Sequence, residues 1–378
     1  MYSEEHRMIR DSLRQYARER LATTAPARDR THEFPRQALR ELGELGAMGV
    51  AIPEEYGGAG LDNRALALAL EEIAAGDGAV STIVSVQNSM ICGIINRYGN
   101  RAQKDTWLRR LTSGEALGCF CLTEPQAGSD ASMLSATAVR DGDHWTINGV
   151  KQFITTGKHA DVAIVFAVTD KTAGKRGISA LLVPTATPGY VVARLEEKMG
   201  QRASDTAQIV FESCRVGPGA LIGAEGEGYR IALSNLETGR IGVAAQSVGM
   251  ARAALEAATQ YARDRRAFGR PIIDHQAVAF RLSDMATQLE AARQLVWYAA
   301  TLKDAGEKCL KAASMAKLFA SEAAERICSQ ALQIHGGYGY VSEYPVERIY
   351  RDVRVCQIYD GTSDIQRLLI ARDLAASA

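Results

Sequence analysis

What this chain lacks narrows its chemistry first. It has only six histidines in 378 residues, and none pairs as H-x-x-x-H, which removes the helix-borne zinc site of a metallopeptidase. Its seven cysteines, Cys92, Cys119, Cys121, Cys214, Cys309, Cys328 and Cys356, form no C-x-x-C pair. An odd count without such pairs points to free thiols in a reducing compartment rather than to a disulfide framework. No histidine or cysteine stands at ligand spacing from Cys119-x-Cys121, which reads instead as side chains of one strand. Net charge is missing too: Lys plus Arg and Asp plus Glu are 44 each. That balance gives no drive toward nucleic acid or an anionic membrane, and neither is expected as a partner. No apolar run reaches the roughly 18 residues needed to span a bilayer. The start, Met1-Tyr2-Ser3-Glu4-Glu5, has neither the apolar core of a signal peptide nor the Arg-rich, acid-poor look of a transit peptide. The expectation is a cytoplasmic protein.

What is present is the composition of a folded chain, 47% hydrophobic and 23% charged, long enough for two or three domains. A pI near 7.0 offers little self-repulsion, so self-association is easy. Three segments follow one another in an α+β order. Residues 1–116 read as helix: Leu39, Leu42 and Leu45 recur at helical spacing, and Leu66, Leu68, Leu70 and Ile73 lie in an Ala-rich stretch. Residues 117–224 switch to short β-rich runs at 145–147, 163–168, 178–183, 190–195 and 208–211, separated by Gly, Pro and Asp-Gly turns. That spacing predicts an antiparallel barrel or sandwich. Residues 225–378 return to helix, with Ile241, Ala245, Val248, Ala251, Leu255 and Ala258 on one face and further long helices over 276–305 and 309–333. Helices of that length suggest an antiparallel bundle.

Five segments have chemical potential, each with a plainer structural reading beside it. Thr123-Glu124-Pro125-Gln126-Ala127-Gly128-Ser129-Asp130 follows a strand-like run; its free N–H groups could wrap a heterocycle or phosphate, or it is a surface turn. Phe153-Ile154-Thr155-Thr156-Gly157 could stack on a flat ring and bond its rim, or it is a half-buried strand end. The arginines and Phe268 of residues 263–271 suit a pyrophosphate and an adenine, but cations also cap helix ends. The glycines after Gln333-Ile334-His335 make a C-cap or admit a close ligand. In Tyr359-Asp360-Gly361-Thr362-Ser363, Ser363 with Gln366 three residues on predicts a capping box, placing Asp360 in a loop before a helix.

Taken together, L-T-E-P-x-A-G-S-D at 122–130, R-x-A-F-G at 265–269, Y-P-V-E-x-x-x-R-D at 344–352 and I-Y-D-G-T-S-x-I-Q-R at 358–367 resemble the acyl-CoA dehydrogenase family. The resemblance runs through nearly the whole chain. It implies a helical N-terminal domain, a middle β-barrel and a C-terminal four-helix bundle, assembled as a homotetramer around FAD, with electrons passed to electron-transfer flavoprotein. By analogy Phe120, Leu122, Thr123 and Ser129 line the flavin and thioester pocket, with Phe153, Ile154 and Thr155 against the ring. Arg265, Phe268 and Gln276 hold the diphosphate and adenine. Gln333, Gly336 and Gly337 do so from a neighbouring subunit, and Thr362 and Asp364 complete the cofactor set. Ser129, Glu237, Arg240, Tyr359 and Gly361 are the implied substrate contacts. The family's chemistry takes an α proton with a carboxylate, here Asp360, and passes a β hydride to the flavin. The backbone N–H of the base helps to stabilise the developing enolate charge.

Most relatives carry Glu where this chain has Asp360. The position one helix away that bears the base in some relatives is Gly239, ahead of Arg240. Losing one methylene withdraws the carboxylate by about 1.5 Å, and a misplacement near 1 Å can cost ~100-fold. An Asp base occurs in relatives that act on ring-bearing acyl-CoAs. It occurs also in the nitroalkane oxidase branch, so a flavin oxidase or monooxygenase of the same fold is the alternative activity. Residues 234–246, 86–89 and 313–317 resemble the short/branched-chain subgroup, and small residues around Gly239 would leave room for an α branch. A non-catalytic, DNA-associated relative would need a basic surface, which zero net charge opposes.

Overall fold

Amphipathic helices build the first segment of the computed structural model, which describes residues 2–376. Helix α1 (Glu4–Tyr16) is capped by Ser3, whose hydroxyl accepts the His6 N–H, and it buries Ile9 and Leu13. Helices α2 (Ala22–Thr31) and α3 (Arg36–Glu44) follow, and α3 buries Leu39 and Leu42. Asp62 caps α4 (Asn63–Gly76), and Asp77 caps α5 (Gly78–Val86) by accepting from Ala79 and Val80. A π-helical stretch at Gln87–Cys92 carries α5 without a break into α6 (Gly93–Tyr98); α7 (Arg101–Thr112) closes the segment.

One expectation changes here. Residues Gly78–Tyr98 form a single helix of 21 residues, long and apolar enough to cross a membrane by composition. Serines and Asn88 interrupt the run, so no unbroken apolar stretch stands out in the sequence. The apolar part is 89% buried inside the protein, which makes this a core helix.

The middle segment holds β1 (Gly118–Cys121), β2 (Thr137–Asp141), β3 (His144–Thr155), β4 (Val162–Val168), β5 (Ile178–Pro184), β6 (Tyr190–Leu195), β7 (Thr206–Val216) and β8 (Leu221–Ile222). They form one sheet in the order β6-β7-β3-β2-β4-β5-β8, with β1 added on β4. Most neighbours are antiparallel, but β1 and β2 both run parallel to β4, so the purely antiparallel expectation is corrected. Strand β2 was invisible in sequence because only Ala138 of it is buried. One face of the sheet curls around a core that includes Cys119, Trp145, Val165, Leu181, Ile209 and Phe211. Alternate residues of β4 and β5 (Val162, Ile164, Phe166, Ile178, Ala180, Leu182) point the other way, against Ile91, Ile94 and Ile95 of the long helix. Strands buried on both faces read as continuous apolar runs, which is how β4 and β5 appear in the sequence.

The third segment contains α8 (Gly228–Asp264), a two-residue hairpin of β9 (Arg266–Ala267) and β10 (Arg270–Pro271), then α9 (Gln276–Asp304), α10 (Leu310–His335), α11 (Val346–Val353) and α12 (Ser363–Ala376). The predicted face of α8 is buried through Ile241, Ala245, Val248, Ala251 and Ala258. This face does not serve the bundle alone. A single apolar core runs through residues of α1, α4, α8, α9 and α10, so the two helical segments are welded together. Buried charges reinforce the seam: Glu72 pairs with Arg14 and Arg252, and Glu71 with Arg252 and Arg293.

The seam requires close approach. A Cβ at Gly249 of α8 would collide with the Glu71 carbonyl oxygen and stand 2.9 Å from the Ala74 methyl. Replacing Gly249 by Val is therefore expected to destabilise by about 1–3 kcal/mol through overpacking. Thermal unfolding checks it: an unchanged midpoint would contradict this contact between α4 and α8.

Candidate active site

The Asp360 turn is held at its carbonyls and left open at its amide. A short 3-10 turn (Arg354–Gln357) ends α11, and Asp360 and Gly361 then take φ values of +52° and +90° before α12 begins. Asp tolerates this left-handed region better than most residues, and such geometry concentrates at functional sites. Lys317 of α10 donates to the Gly361 carbonyl at 2.6 Å, and the Gln366 amide donates to the carbonyls of Gly361 at 2.8 Å and Asp360 at 3.3 Å. The expected capping box is replaced by a single cap one residue earlier, because Gln366 is spent on the turn carbonyls. Thr362 accepts the Ile365 N–H at 3.4 Å, while the buried Ser363 hydroxyl has no partner because Ser363 is already the first helical residue. Among the described residues, the Asp360 N–H makes no hydrogen bond. It is free to donate outward.

The Asp360 carboxylate rests on α8 at its barest point. A Cβ on Gly239 would lie 2.9 Å from Asp360 Oδ2 and would overlap the Met90 methyl. The two base positions considered in the sequence therefore converge on one place. Met90, from the π-helical stretch, and the carboxylate lie where a side chain of residue 239 would stand. A π bulge beside a site is a recurrent functional feature.

Burial raises the Asp360 carboxyl above its ordinary range, and the nearby cations Lys317 and Arg240 only partly pull it back. Burial also lowers Lys317, to about 8, although Asp360 opposes this. Arg240 is only 5% exposed, and its Nε lacks a partner. Glu237 is engaged with Lys303 at 3.3 Å and the Cys309 thiol at 3.4 Å. The Tyr359 hydroxyl turns inward, donating to Gln246 at 2.7 Å and meeting Thr82 and Cys356; its ring is part of the frame and presents no free polar group.

Strands β1 and β3 bring the aromatic and hydroxyl groups together. The Gln152 N–H donates to the Thr123 carbonyl at 2.8 Å, setting the end of β1 beside the end of β3. There the ladder with β7 slips between Lys151 and Ile154, and Phe153, at φ +58°, is thrown outward with 63% exposure. Phe120 packs on Phe166 with ring centroids 4.9 Å apart, Leu122 is buried, and Thr123 and Thr155 are half-buried. Ser129 is exposed. Ile154 points into the sheet core at 1% exposure, so only its backbone could meet a ligand.

Sequence reading missed what holds this loop. Glu124, second in the 123–130 segment, is buried and takes hydrogen bonds from Lys151 (2.7 Å), the Ser135 N–H and hydroxyl, the Ala136 N–H and Gln126. Lys151 is completely buried and donates also to the Leu122 carbonyl at 3.1 Å. Burial alone would raise the Glu124 carboxyl, but Lys151 and Ser135 outweigh it and hold it below its ordinary range. Lys317 and Met90 were likewise not singled out. The signal for Lys317 was a lysine on the buried stripe of Ala313, Ala316 and Ala320.

The remaining candidates lie elsewhere. Arg265, Gly336 and Gly337 line one open groove with Tyr261, His335 and Tyr338, and the Arg265 guanidinium stands 6.0 Å over the Tyr338 ring. Phe268 sits at the tip of the β9–β10 hairpin at φ +50°, 95% exposed, with Gly269 at +83°. Such a pair of positive φ values is what a two-residue hairpin demands. Gln276 and Gln333 are exposed near the same end, and Asp364 is exposed at the start of α12, beside Arg367. At 1.5 Å per residue, Arg265 is about 40 Å along α8 from Gly239, and Gly336 is about 30 Å along α10 from Lys317. Arg265 thus shares its groove with Gly336 and Gly337 of the same chain, and all are remote along their helices from that chain's Asp360.

Flat, exposed aromatics, the outward amide of Asp360 and the unpartnered hydroxyl of buried Thr156 fit a large cofactor with a ring at one end. The arginine–glycine groove fits a diphosphate. Removing Glu124 tests the frame. Glu124→Ala leaves Lys151 as an unpaired buried cation and is expected to cost about 3–5 kcal/mol, read by urea unfolding. The depressed Glu124 carboxyl stabilises fully above the ordinary glutamate range, so the deficit should shrink as pH falls through it.

Comparison with known proteins matches the models for the acyl-CoA dehydrogenase N-terminal domain to residues 3–115, the middle domain to 119–214 and the C-terminal domain to 226–375. The chain is 48% identical over 374 residues to the short-chain specific acyl-CoA dehydrogenase, mitochondrial, of Bos taurus, covering 99% of this chain and 91% of that protein. Its structure is similar to butyryl-CoA dehydrogenase from Megasphaera elsdenii, with a TM-score of 0.97, 40% identity and 99% of each chain covered. It is also similar to a glutaryl-CoA dehydrogenase from Mycobacterium smegmatis in complex with FADH2, with a TM-score of 0.94, 34% identity, and 99% and 95% of the two chains covered.

Proposed function

The chain belongs to the acyl-CoA dehydrogenase family, and from that premise we propose that it desaturates a short acyl-CoA between Cα and Cβ with Asp360 as the base. It is an FAD-dependent oxidoreductase acting on acyl-CoA. The observation that carries the finer reading is the turn around Asp360, where a carboxylate and a free N–H sit on one residue against a helix stripped of its side chain.

That residue combines two tasks. Its carboxylate takes the α proton, and burial makes it more basic than an exposed aspartate. Lys317 and Arg240 oppose that burial by favouring the charged form. Its N–H is a donor for the thioester oxygen as enolate charge develops. Phe153 and Thr155 stand where a flat ring would be stacked and bonded at its rim. The bound flavin supplies the hydride acceptor. A short acyl chain is favoured by the likeness to the short-chain specific and butyryl-CoA dehydrogenases; branched and alicyclic chains are the alternatives to be compared. Electron-transfer flavoprotein is the proposed electron acceptor, and the cytoplasm, where seven buried free thiols stay reduced, the proposed compartment.

The distance between Asp360 and the Arg265 groove supports a site shared between copies, for which the homotetramer is the proposed assembly. A single FAD cannot join the two ends of one chain, so the groove serves the flavin of a neighbouring copy.

Asp360→Asn is expected to lower the rate of anaerobic flavin bleaching by butyryl-CoA by roughly 10²–10⁴-fold. In the wild type, kcat/KM should rise with pH through a value above the ordinary aspartate range, because the base must be ionised and burial raises its pKa. Wild-type turnover in the asparagine variant, or a protein that takes up no FAD, would end this reading. For the assembly, mixing Asp360→Asn chains with Arg265→Glu chains should restore activity that neither has alone; no restoration would mean that each chain completes its own site.

A further inference from the structure

Lys317 is only 1% exposed, on the stripe of α10 where Ala313, Ala316 and Ala320 are also buried. A buried ammonium without compensation is costly, and the chain's other fully buried lysine, Lys151, meets a carboxylate at 2.7 Å. Lys317 has no carboxylate within ion-pair distance among the described residues. Its hydrogen bond goes to the Gly361 carbonyl at 2.6 Å, one residue past the base. We propose that Lys317 is a positioning residue for the reaction: it fixes the turn that presents Asp360 and supplies a cation to the carboxylate. The proposal rests on Asp360 being the base.

Geometry argues that Lys317 is more than a cap. Gln366 already donates to both carbonyls of the turn, and Thr362 already caps α12. The turn's acceptors would thus remain satisfied without Lys317, and what the lysine adds is a charge and a second anchor from α10. Asp360, a non-glycine residue at φ +52°, occupies a left-handed conformation that its surroundings must hold. The charged groups facing Asp360 are Lys317 from α10 and Arg240 from α8. Arg240 is shared with Glu237 and Cys309, and Lys317 is faced also by Cys356 and by Arg240 itself. A cation beside a carboxylate lowers its pKa, so losing Lys317 moves Asp360 upward. Burial has brought Lys317 itself to about 8, so its charge fades on the alkaline side.

The test uses the FAD-loaded enzyme with Lys317→Met, Lys317→Gln and Lys317→Arg. Two quantities are read: exchange of the substrate α proton in deuterated water by mass spectrometry, and the pH profile of kcat/KM. Lys317→Met should lose about tenfold or more in α exchange and shift the acid limb upward by about one pH unit. Lys317→Gln keeps a donor without charge, so its limb should stay shifted while exchange partly recovers. Lys317→Arg should return the limb toward the wild-type position. A wild-type acid limb in Lys317→Gln, or wild-type exchange in Lys317→Met with full flavin content, overturns the proposal. A wild type that neither exchanges the α proton nor bleaches with any acyl-CoA overturns the assignment of Asp360 as base, and this proposal with it.

Discussion

The structure around the site depends on one steric constraint: α8 must pass the Asp360 turn without a side chain at residue 239. A Cβ there would meet both the carboxylate and the Met90 methyl. Both atoms end flexible side chains, so a side chain at residue 239 would displace the Met90 methyl and the Asp360 carboxylate rather than the backbone. The carboxylate, Met90 of the π-helical stretch and α8 thus meet at one point. Close contact recurs at Gly249, where α8 and α4 approach until a methyl group no longer fits. One helix, α8, thus supports the base at one turn and joins the two helical segments at another.

Two buried lysines show how similar burial serves different ends. Lys151 is matched by Glu124, whose oxygens are further satisfied by Ser135, Ala136 and Gln126. Such a closed network rigidifies the loop after β1 and leaves no charge for chemistry. Near Asp360 the balance is left open: two cations flank a carboxylate that neither touches at ion-pair distance among the described residues. Burial raises the acid's pKa while the cations restrain it, which suits a group that must be ionised yet basic. The contrast separates frame from site without reference to any ligand.

Helix length imposes the third feature. Because α8 and α10 are long, the base lies toward their N-terminal halves and the arginine–glycine groove at their C-terminal ends. Placing Arg265 with Gly336 and Gly337 on one groove changes which residues act together. No sequence spacing could reveal this, since residues 265 and 336 are separated by two helices.

The order of helical, β and helical segments was legible in the sequence because hydrophobic periodicity is a local property. The strands β4 and β5 and the buried face of α8 are written in their side chains. The chemistry-bearing segments were legible as well, down to Asp360 standing in a turn before a helix. Strand β2 escaped because almost none of it is buried, and the apolar helix at 78–98 because polar residues interrupt its run. The cap at Thr362, the inward hydroxyl of Tyr359, the contacts at Gly239 and the roles of Glu124 and Lys317 escaped for another reason. Each is decided by which side chain another element brings within a few ångströms. Sequence by itself determined the elements and the acidic residue; the tertiary structure decided what that residue touches, because contact between distant segments depends on packing and not on spacing along the chain.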